Sequence, residues 1–362
     1  MEERSMIILP MLQTTCLTEY DLQDPIITGE IKTPAGLVPK VSTVLSRKDI
    51  IGAWKARWGI NRMTYRINPG IYAIGDPDDA SPIFVSANYK MSFDVLRREL
   101  NGMSAWILVL DTKGINVWCA SGKGTFGTAE IVNKVNKTKL SQIVQHRTLI
   151  LPQLGAPGTS AHKVLKQCGF KVVYGPVRAS DIKDYMAAGM QASDDMRAVR
   201  FTMVDRFVLT PIELVGTLKR SLLIFGVLFM INLIRANAFG VVDFYAYVGA
   251  ILMGCVLTPV LLPWIPGRAF AFKGWLLGLV WTLVVLGLSG WPAESALSIV
   301  RSIGYLLVLP SISAYLAMNF TGASTYTSIS GVMKEMRKAV PPIIITSCLG
   351  AVMILMDSLF LL

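Results

Sequence analysis

The stretch Trp106-Ile107-Leu108-Val109-Leu110-Asp111, followed shortly by Asn116-Val117-Trp118-Cys119-Ala120-Ser121-Gly122-Lys123-Gly124-Thr125-Phe126-Gly127-Thr128, sets the reading of this chain. The first part is apolar up to its terminal acid and shows no polar alternation. Such a run suits a strand buried on both faces. The second part places one cysteine in a short apolar patch, ahead of a glycine-rich turn into a helix. A strand that hands over to a helix in this way presents the turn at the carboxyl end of a sheet. A thiol held there meets whatever lies over that end.

Working outward, the pattern repeats. Pro82–Ser86, Thr148–Leu151 and Lys171–Tyr174 read as further core strands. Ser92–Leu100, Thr128–Asn136, His162–Cys168 and Ser180–Ala188 have helical spacing. Continuous apolar strands separated by helices predict an α/β domain with a Rossmann-like parallel sheet covered on both faces. Ligands in such sheets bind outside the carboxyl ends of the strands. Those ends are Ser86-Ala87-Asn88, Asp111–Gly114, Pro152–Gly158 and Gly175-Pro176-Val177, all rich in small or turn-forming residues. Residues 71–210 are assigned to this domain. Residues 1–70 carry only weak strand signals, with Trp54 and Trp58 at helical spacing, and are expected to pack on it as an N-terminal extension.

From Ser221 onward the composition changes. The chain of 362 residues is 52% hydrophobic and only 16% charged, and the apolar excess lies in this second part. Five segments, Ser221–Phe239, Phe244–Leu262, Phe270–Leu288, Ala296–Met318 and Val340–Leu362, each approach the roughly 20 residues that cross a bilayer core as a helix. Residues 211–362 are therefore expected to form an all-α bundle of five transmembrane helices. Lys219 and Arg220, Arg268 and Lys273, and Lys334, Arg337 and Lys338 would share one side, the cytoplasmic one. The N-terminal domain then lies in the cytoplasm and the C-terminus outside. The N-terminal residues Met1–Ser5 do not open a signal peptide, in keeping with a domain that is not exported. Arg235, Asp243, Glu294, Arg301 and Asp357 fall near span ends on the outer face. Separate snorkelling of each to water is the favoured reading, and an ion-paired cluster the alternative. No run of acids or histidines lines the spans, so the bundle reads as an anchor and not as an ion pathway.

The net charge of +11 is spread along the chain and concentrates partly at membrane flanks. Without a groove-reading motif it does not point to nucleic acid. The five cysteines, Cys16, Cys119, Cys168, Cys255 and Cys348, are dispersed and form no CxxC pair. This fits a reducing compartment. Cys168, Cys255 and Cys348 read as apolar packing residues.

Several chemistries compete for the motif around Cys119. Gly122-Lys123-Gly124-Thr125-Phe126-Gly127 has the GxGxxG spacing of a dinucleotide loop, but an extra turn precedes it and no acid ends a following strand for the ribose. Zinc is disfavoured, since Cys119 has no second cysteine or histidine at ligand spacing. A cysteine nucleophile would need His146 or His162 as base, and no signature supports that. The remaining reading is a buried cysteine in a helix-opening turn.

The string Asn116–Gly124 resembles the N-[VI]-W-C-A-[AS]-G-K signature of the mercury-methylating corrinoid proteins, the HgcA family, without a departure. The resemblance extends to Ser86–Asp94, Ile150–Gly155, Tyr174–Arg178, Met318-Asn319-Phe320-Thr321-Gly322 and the five-span tail. Its corrinoid domain is similar to that of the corrinoid iron–sulfur protein of the acetyl-CoA pathway. The resemblance implies a corrinoid over the strand ends, with Cys119 on a cap helix as lower axial cobalt ligand. The thiolate would be stabilised by the helix N-terminus, Lys123 or the metal. Val117 and Trp118 would form an apolar wall, Asn116 would fix the turn, and Gly122 and Gly124 would let the backbone approach the macrocycle. Ala120 belongs to the same motif, and Asn88, Leu154, Gly155, Ala156 and Val177 would face the cofactor from the other strand ends. The DxHxxG motif of histidine-ligated cobalamin proteins is absent.

The resemblance further implies methyl transfer to inorganic Hg(II), with the methyl group drawn from a methyl-tetrahydrofolate pathway. The chain has no clustered cysteines for an iron–sulfur cluster of its own, so reduction is expected from a ferredoxin-like partner with two [4Fe–4S] clusters. Two other readings stand beside this one. The chain could be a corrinoid methyl carrier for a different acceptor, or a non-enzymatic membrane anchor module with a nucleotide-binding domain.

Overall fold

Strands β3 (Gly70–Ile74), β4 (Ile83–Ala87) and β5 (Ala105–Leu110) are buried at every position in the computed structural model, which describes residues 16–20, 24–236, 238–290, 297–323 and 329–361. Successive side chains of a strand point to opposite faces, so full burial demands cover on both sides. On β5, Trp106, Leu108 and Leu110 join one apolar cluster, and Ala105, Ile107 and Val109 join the other. The first cluster is covered by Ala120, Phe126, Ile131, Val135 and Val164. The second is covered by Phe93, Leu96, Leu100, Ile182 and Tyr185. The uninterrupted apolar run Trp106–Leu110 is thus the central strand of a three-layer α/β unit.

The described sheet has seven strands, completed by β1 (Ile27–Thr33), β2 (Gly36–Val41), β6 (Thr148–Leu151) and β7 (Lys171–Tyr174), in the order β1-β2-β3-β5-β4-β6-β7. β4 is parallel to both β5 and β6, and β6 is parallel to β7. The expectation of a wholly parallel sheet is corrected at the other edge. β3 runs antiparallel to β5, and β1 and β2 form an antiparallel hairpin. Residues before position 71 therefore contribute strands to the sheet itself. Their signal was weak because β1 alternates exposed and half-buried positions and carries Glu30 and Lys32.

The four helices read from spacing fall close to their expected places, and three further ones accompany them. α1 (Arg47–Arg57) precedes β3, and α2 (Lys90–Glu99) links β4 to β5. α3 (Val117–Lys123) and α4 (Thr128–Lys137) follow β5. α5 (Ala161–Cys168) follows β6, and α6 (Ile182–Ala187) and α7 (Asp194–Arg197) follow β7. The chain leaves β4 for β5 on one side and then returns past β4 to β6 on the other. α2 covers one face and α3 and α4 the other, so the crevice between β4 and β6 is a topological switch point. β4 and β6 share a single paired position, Phe84 with Ile150. Open α/β sheets bind ligands at this place.

The chain divides into two compact units, residues 1–56 with 60–199 and residues 57–59 with 200–362. The second holds five helices long and apolar enough to cross a membrane: Met203–Ile234, Val241–Val260, Phe270–Leu288, Ile299–Gly322 and Ser330–Phe360. They comprise α8 (Met203–Ile234); α9 (Val241–Leu252), continuing through a π-helical turn into α10 (Thr258–Val260); α11 (Phe270–Leu288); α12 (Ile299–Asn319); and α13 (Ile329–Met356). The third matches its expected limits. The first begins at Met203 and not Ser221, because Thr202 and Asp205 form a capping box there. α13 begins before Val340, so Lys334, Arg337 and Lys338 lie on helix and not in a loop.

The charged residues near the span ends do not snorkel separately. The Arg301 guanidinium donates to both Asp243 carboxylate oxygens at 2.8 and 2.9 Å and lies 3.4 Å from Asp357. The Tyr305 hydroxyl donates to Asp243, and Ser298 bonds Asp357. The favoured snorkelling reading is therefore corrected for Asp243, Arg301 and Asp357. Close helix contact makes the cluster possible: a Cβ added to Gly350 would stand 2.7 Å from the Gly304 carbonyl oxygen. Arg235 bonds the Leu359 carbonyl instead of an acid, and Glu294 lies outside the described residues.

Candidate functional site

A cavity of about 350 Å³ opens over the carboxyl ends of β4, β6 and β7. Ser86, Pro152, Gly175 and Pro176 contribute from the strand ends. Met91, Ser92 and Val95 contribute from the first turns of α2, and Asn116, Val117 and Trp118 from the start of α3. Leu154, Val177 and Ile182 complete the rim. The walls are mainly aliphatic, and Trp118 remains 37% exposed at the mouth.

α3 has seven residues and begins at a formed cap. Asn116 is its N-cap, and the Asn116 side-chain carbonyl accepts from the Cys119 backbone N–H at 2.9 Å. This places Cys119 in the first helical turn, where backbone N–H groups point outward. The residue is exposed, so a buried structural cysteine is not what the fold contains. Ala120, one residue on, is fully buried and anchors the helix in the core. Gly124 ends the helix in the left-handed region at φ 79°, a conformation that costs glycine little. The glycine-rich segment thus closes the helix that bears the thiol, and α4 starts only after it, with Gly127 as N-cap.

The sequence reading did not single out what fixes α3 in place. The Ser121 hydroxyl accepts from the Gly158 N–H at 2.7 Å and bonds the Gly155 carbonyl at 3.3 Å. A Cβ on Gly158 would lie 2.3 Å from the Phe126 carbonyl oxygen, and one on Gly155 would lie 2.5 Å from the Phe126 ring. Gly155 and Gly158 therefore permit close packing between α3 and the turn after β6. Only the density of glycine in Pro152–Gly158 hinted at this.

Asn88 is buried beneath the rim. Its side-chain carbonyl accepts from Thr112 and Gly114 N–H groups, both at 3.0 Å, and from the Thr112 hydroxyl at 2.9 Å. Its amide donates to Asp111 at 3.2 Å. Asn88 thereby ties the end of β4 to the turn after β5, which delivers α3. Burial alone would raise the Asp111 carboxyl, but Lys113 outweighs it and holds it below the ordinary range.

Of the residues singled out from sequence, Asn116, Val117, Trp118, Leu154 and Val177 meet on the cavity wall. Asn88 and Ala120 lie beneath the wall, and Gly155 and Ala156 in the short helical turn Gln153–Gly158. Cys119, Gly122, Lys123 and Gly124 occupy the exposed length of α3, outside the wall itself. No Cβ contact within 4 Å surrounds Gly122 or Gly124. Tyr89, Met91, Val95 and Ile182 also line the cavity and were not named as site residues, although Tyr89 and Met91 fall within the Ser86–Asp94 stretch that carries the resemblance. Among the described residues no group of three or more His, Cys, Asp or Glu side chains could hold a bare metal ion.

Residues 60–186, which contain the whole cavity wall, match the family described as CO dehydrogenase/acetyl-CoA synthase delta subunit. The acetyl-CoA decarbonylase/synthase complex subunit gamma of Archaeoglobus fulgidus is 30% identical over 127 residues, 34% of this chain and 27% of that protein. The same subunit of Methanothermobacter thermautotrophicus is 28% identical over 127 residues, with the same shares covered. The corrinoid/iron-sulfur protein large subunit of Moorella thermoacetica is 26% identical over 127 residues, 34% of this chain and 28% of that protein. The chain spans little more than a quarter of the length of these relatives, and over this region it is related to corrinoid proteins.

Proposed function

We propose that this chain is a membrane-embedded corrinoid protein that transfers a methyl group to inorganic Hg(II), with Cys119 as lower axial ligand of the cobalt. The observation that carries the reading is the exposed thiol in the first turn of α3, beside an apolar cavity at the switch point of the sheet. A bound corrinoid supplies a cobalt that takes up and releases a methyl group.

The residues present fit such a group. A corrinoid would carry most of the donors to its cobalt itself, so the protein would need to offer one donor and no cluster of ligands. Cys119 is a single soft donor with that freedom, and the described residues hold no competing cluster. Asn116 holds the first turn of α3 and so sets the thiol's position. Ser121, Gly155 and Gly158 hold the other side of the helix. Val117, Trp118, Leu154 and Val177 give the cavity an apolar wall that would limit water near a bound corrinoid. Mercury(II) is the substrate. Reducing equivalents would come from a ferredoxin-like partner with two [4Fe–4S] clusters, and the methyl group from a methyl-tetrahydrofolate pathway. The five apolar helices would hold the chain in the cytoplasmic membrane, with the N-terminal domain in the cytoplasm and the C-terminus outside.

The test uses the full purified chain reconstituted with methylcorrinoid. The wild type is expected to show a corrinoid absorption spectrum altered by thiolate ligation, and to form methylmercury from Hg(II). Cys119→Ala is expected to retain the fold while losing the thiolate signature and most of the transfer. Full transfer by Cys119→Ala would refute direct ligation. A second reading, a methyl carrier for another acceptor, is favoured by the corrinoid and acetyl-CoA decarbonylase/synthase relatives. Corrinoid binding without methylmercury formation would select it.

A further inference from the structure

We propose that a groove between α11, α12 and α13 binds one anionic phospholipid, a site that rests on the reading of these helices as membrane spans. The groove encloses about 680 Å³. Arg268, Lys334 and Lys338 converge at one end of it, and all three are exposed. None of these cations forms an ion pair among the described residues. Glu335, the only acid on the wall, is engaged elsewhere: its carboxylate accepts from the Ala271 backbone N–H at 2.7 Å, at the start of α11. Among the described residues the wall therefore carries three unpaired cations against one carboxylate, itself held by the Ala271 N–H, and is net positive.

Below the rim the walls become apolar. Trp275 comes from α11, Ala314 from α12 and Ile343 from α13. Lys334, Lys338, Pro342 and Thr346 follow one another at helical spacing, so a single face of α13 runs from the charged end into the apolar part. The far end is closed by a hydroxyl pair, Ser311 Oγ to Thr346 Oγ1 at 2.7 Å. Thr346 lies twelve positions after Lys334, which is roughly 18 Å of helix. A free phosphate would use only the rim. A phospholipid uses both ends, its phosphate among the cations and an acyl chain along the apolar wall. Basic pockets between transmembrane helices suit anionic headgroups for this electrostatic reason.

The full chain is purified in detergent and examined by native mass spectrometry with added phosphatidylglycerol or phosphatidylcholine. The wild type is expected to retain phosphatidylglycerol about tenfold better than phosphatidylcholine. The triple variant Arg268→Gln, Lys334→Gln, Lys338→Gln is expected to lose that preference. Lys219→Gln with Arg220→Gln, which removes charge outside the groove, is expected to keep it. Equal retention of the two lipids by the wild type, or equal losses in the two variants, would overturn the site. Displacement of phosphatidylglycerol by inorganic phosphate would overturn it in favour of a soluble anion. Carbonate extraction of membranes separates the underlying reading: release of the wild type from the membrane would refute the spans, and the lipid site with them. Retention with equal lipid binding would refute only the site.

Discussion

The Ser121 hydroxyl accepts a 2.7 Å hydrogen bond from the Gly158 backbone N–H, joining the thiol-bearing helix to the turn after β6. Ser121 is buried on the inner side of α3, and Gly158 is half-buried in the turn that faces it. The position of Cys119 therefore depends on a contact between residues 37 apart in sequence. Ser121→Ala leaves the Gly158 N–H without its partner, at a cost of about 1–3 kcal/mol. The expected outcome is faster amide hydrogen exchange across Val117–Lys123 and weaker corrinoid retention.

Two glycines of the motif region should respond in opposite ways. Gly158→Ala forces a Cβ to within 2.3 Å of the Phe126 carbonyl oxygen, so backbone must move. A loss of roughly 3 kcal/mol is expected, in the range of core overpacking. Gly122→Ala meets nothing within 4 Å, in a helical position. It should be neutral or stabilise by up to about 1 kcal/mol. Thermal denaturation of the two variants checks the contrast. A fall in corrinoid retention by Gly122→Ala, with stability unchanged, would show that the macrocycle approaches that face.

Trp118 forms a wall of the cavity while remaining partly exposed. Trp118→Ala should cost the fold less than about 1 kcal/mol, since little core is lost. Corrinoid retention should fall far more than stability does. Parallel measurement of melting temperature and bound corrinoid distinguishes a wall from a core residue.

An acid-sensitive network lies under α2. The Asp49 carboxylate is paired with Lys90 and Arg97, and Asp94 with the same two cations. Burial alone would raise the Asp49 carboxyl, but Lys90 and Ser46 outweigh it and hold it well below the usual carboxylate range. Folding therefore favours the ionised form. Its stabilisation is fully present above the ordinary aspartate value of about 4 and declines as pH falls toward the depressed folded value. Asp49→Asn should cost about 3 kcal/mol at neutral pH and flatten the acid limb of a stability–pH curve.

In the helical unit, Arg301 bridges two carboxylates, the buried Asp357 and the half-buried Asp243. Arg301→Met should destabilise this unit by about 3–5 kcal/mol, because Asp243 and Asp357 lose their shared cation. Asp243→Asn on that background should recover part of the loss. Thermal aggregation in detergent reads both outcomes.

The legible parts of the molecule were those carried by local pattern. The apolar runs of β4 to β7 and the spacing of α2, α4, α5 and α6 are short-range signals, and each of these elements lies within a few residues of its expected place. β1 escaped because a half-exposed strand with Glu30 and Lys32 resembles a loop, and β2 because Gly36, Pro39 and Lys40 interrupt its short apolar run. The Cys119 motif was legible as a motif, yet its internal geometry was not. Its glycines read as the opening of a following helix, whereas Gly124 closes the helix that carries the thiol.

Amino-acid order alone settled that a buried-strand α/β unit precedes a strongly apolar helical unit, and that a lone cysteine sits past the central strand. Hydrophobic periodicity is a property of neighbours in the chain, so no tertiary information is needed for it. Packing decided the rest. Only the fold shows Asn88 holding the turn ahead of α3, Ser121 meeting Gly158, and Arg301 meeting Asp243 and Asp357. Each of these partnerships joins residues distant in sequence, and burial gives each its strength, because polar groups removed from water must find partners within the protein.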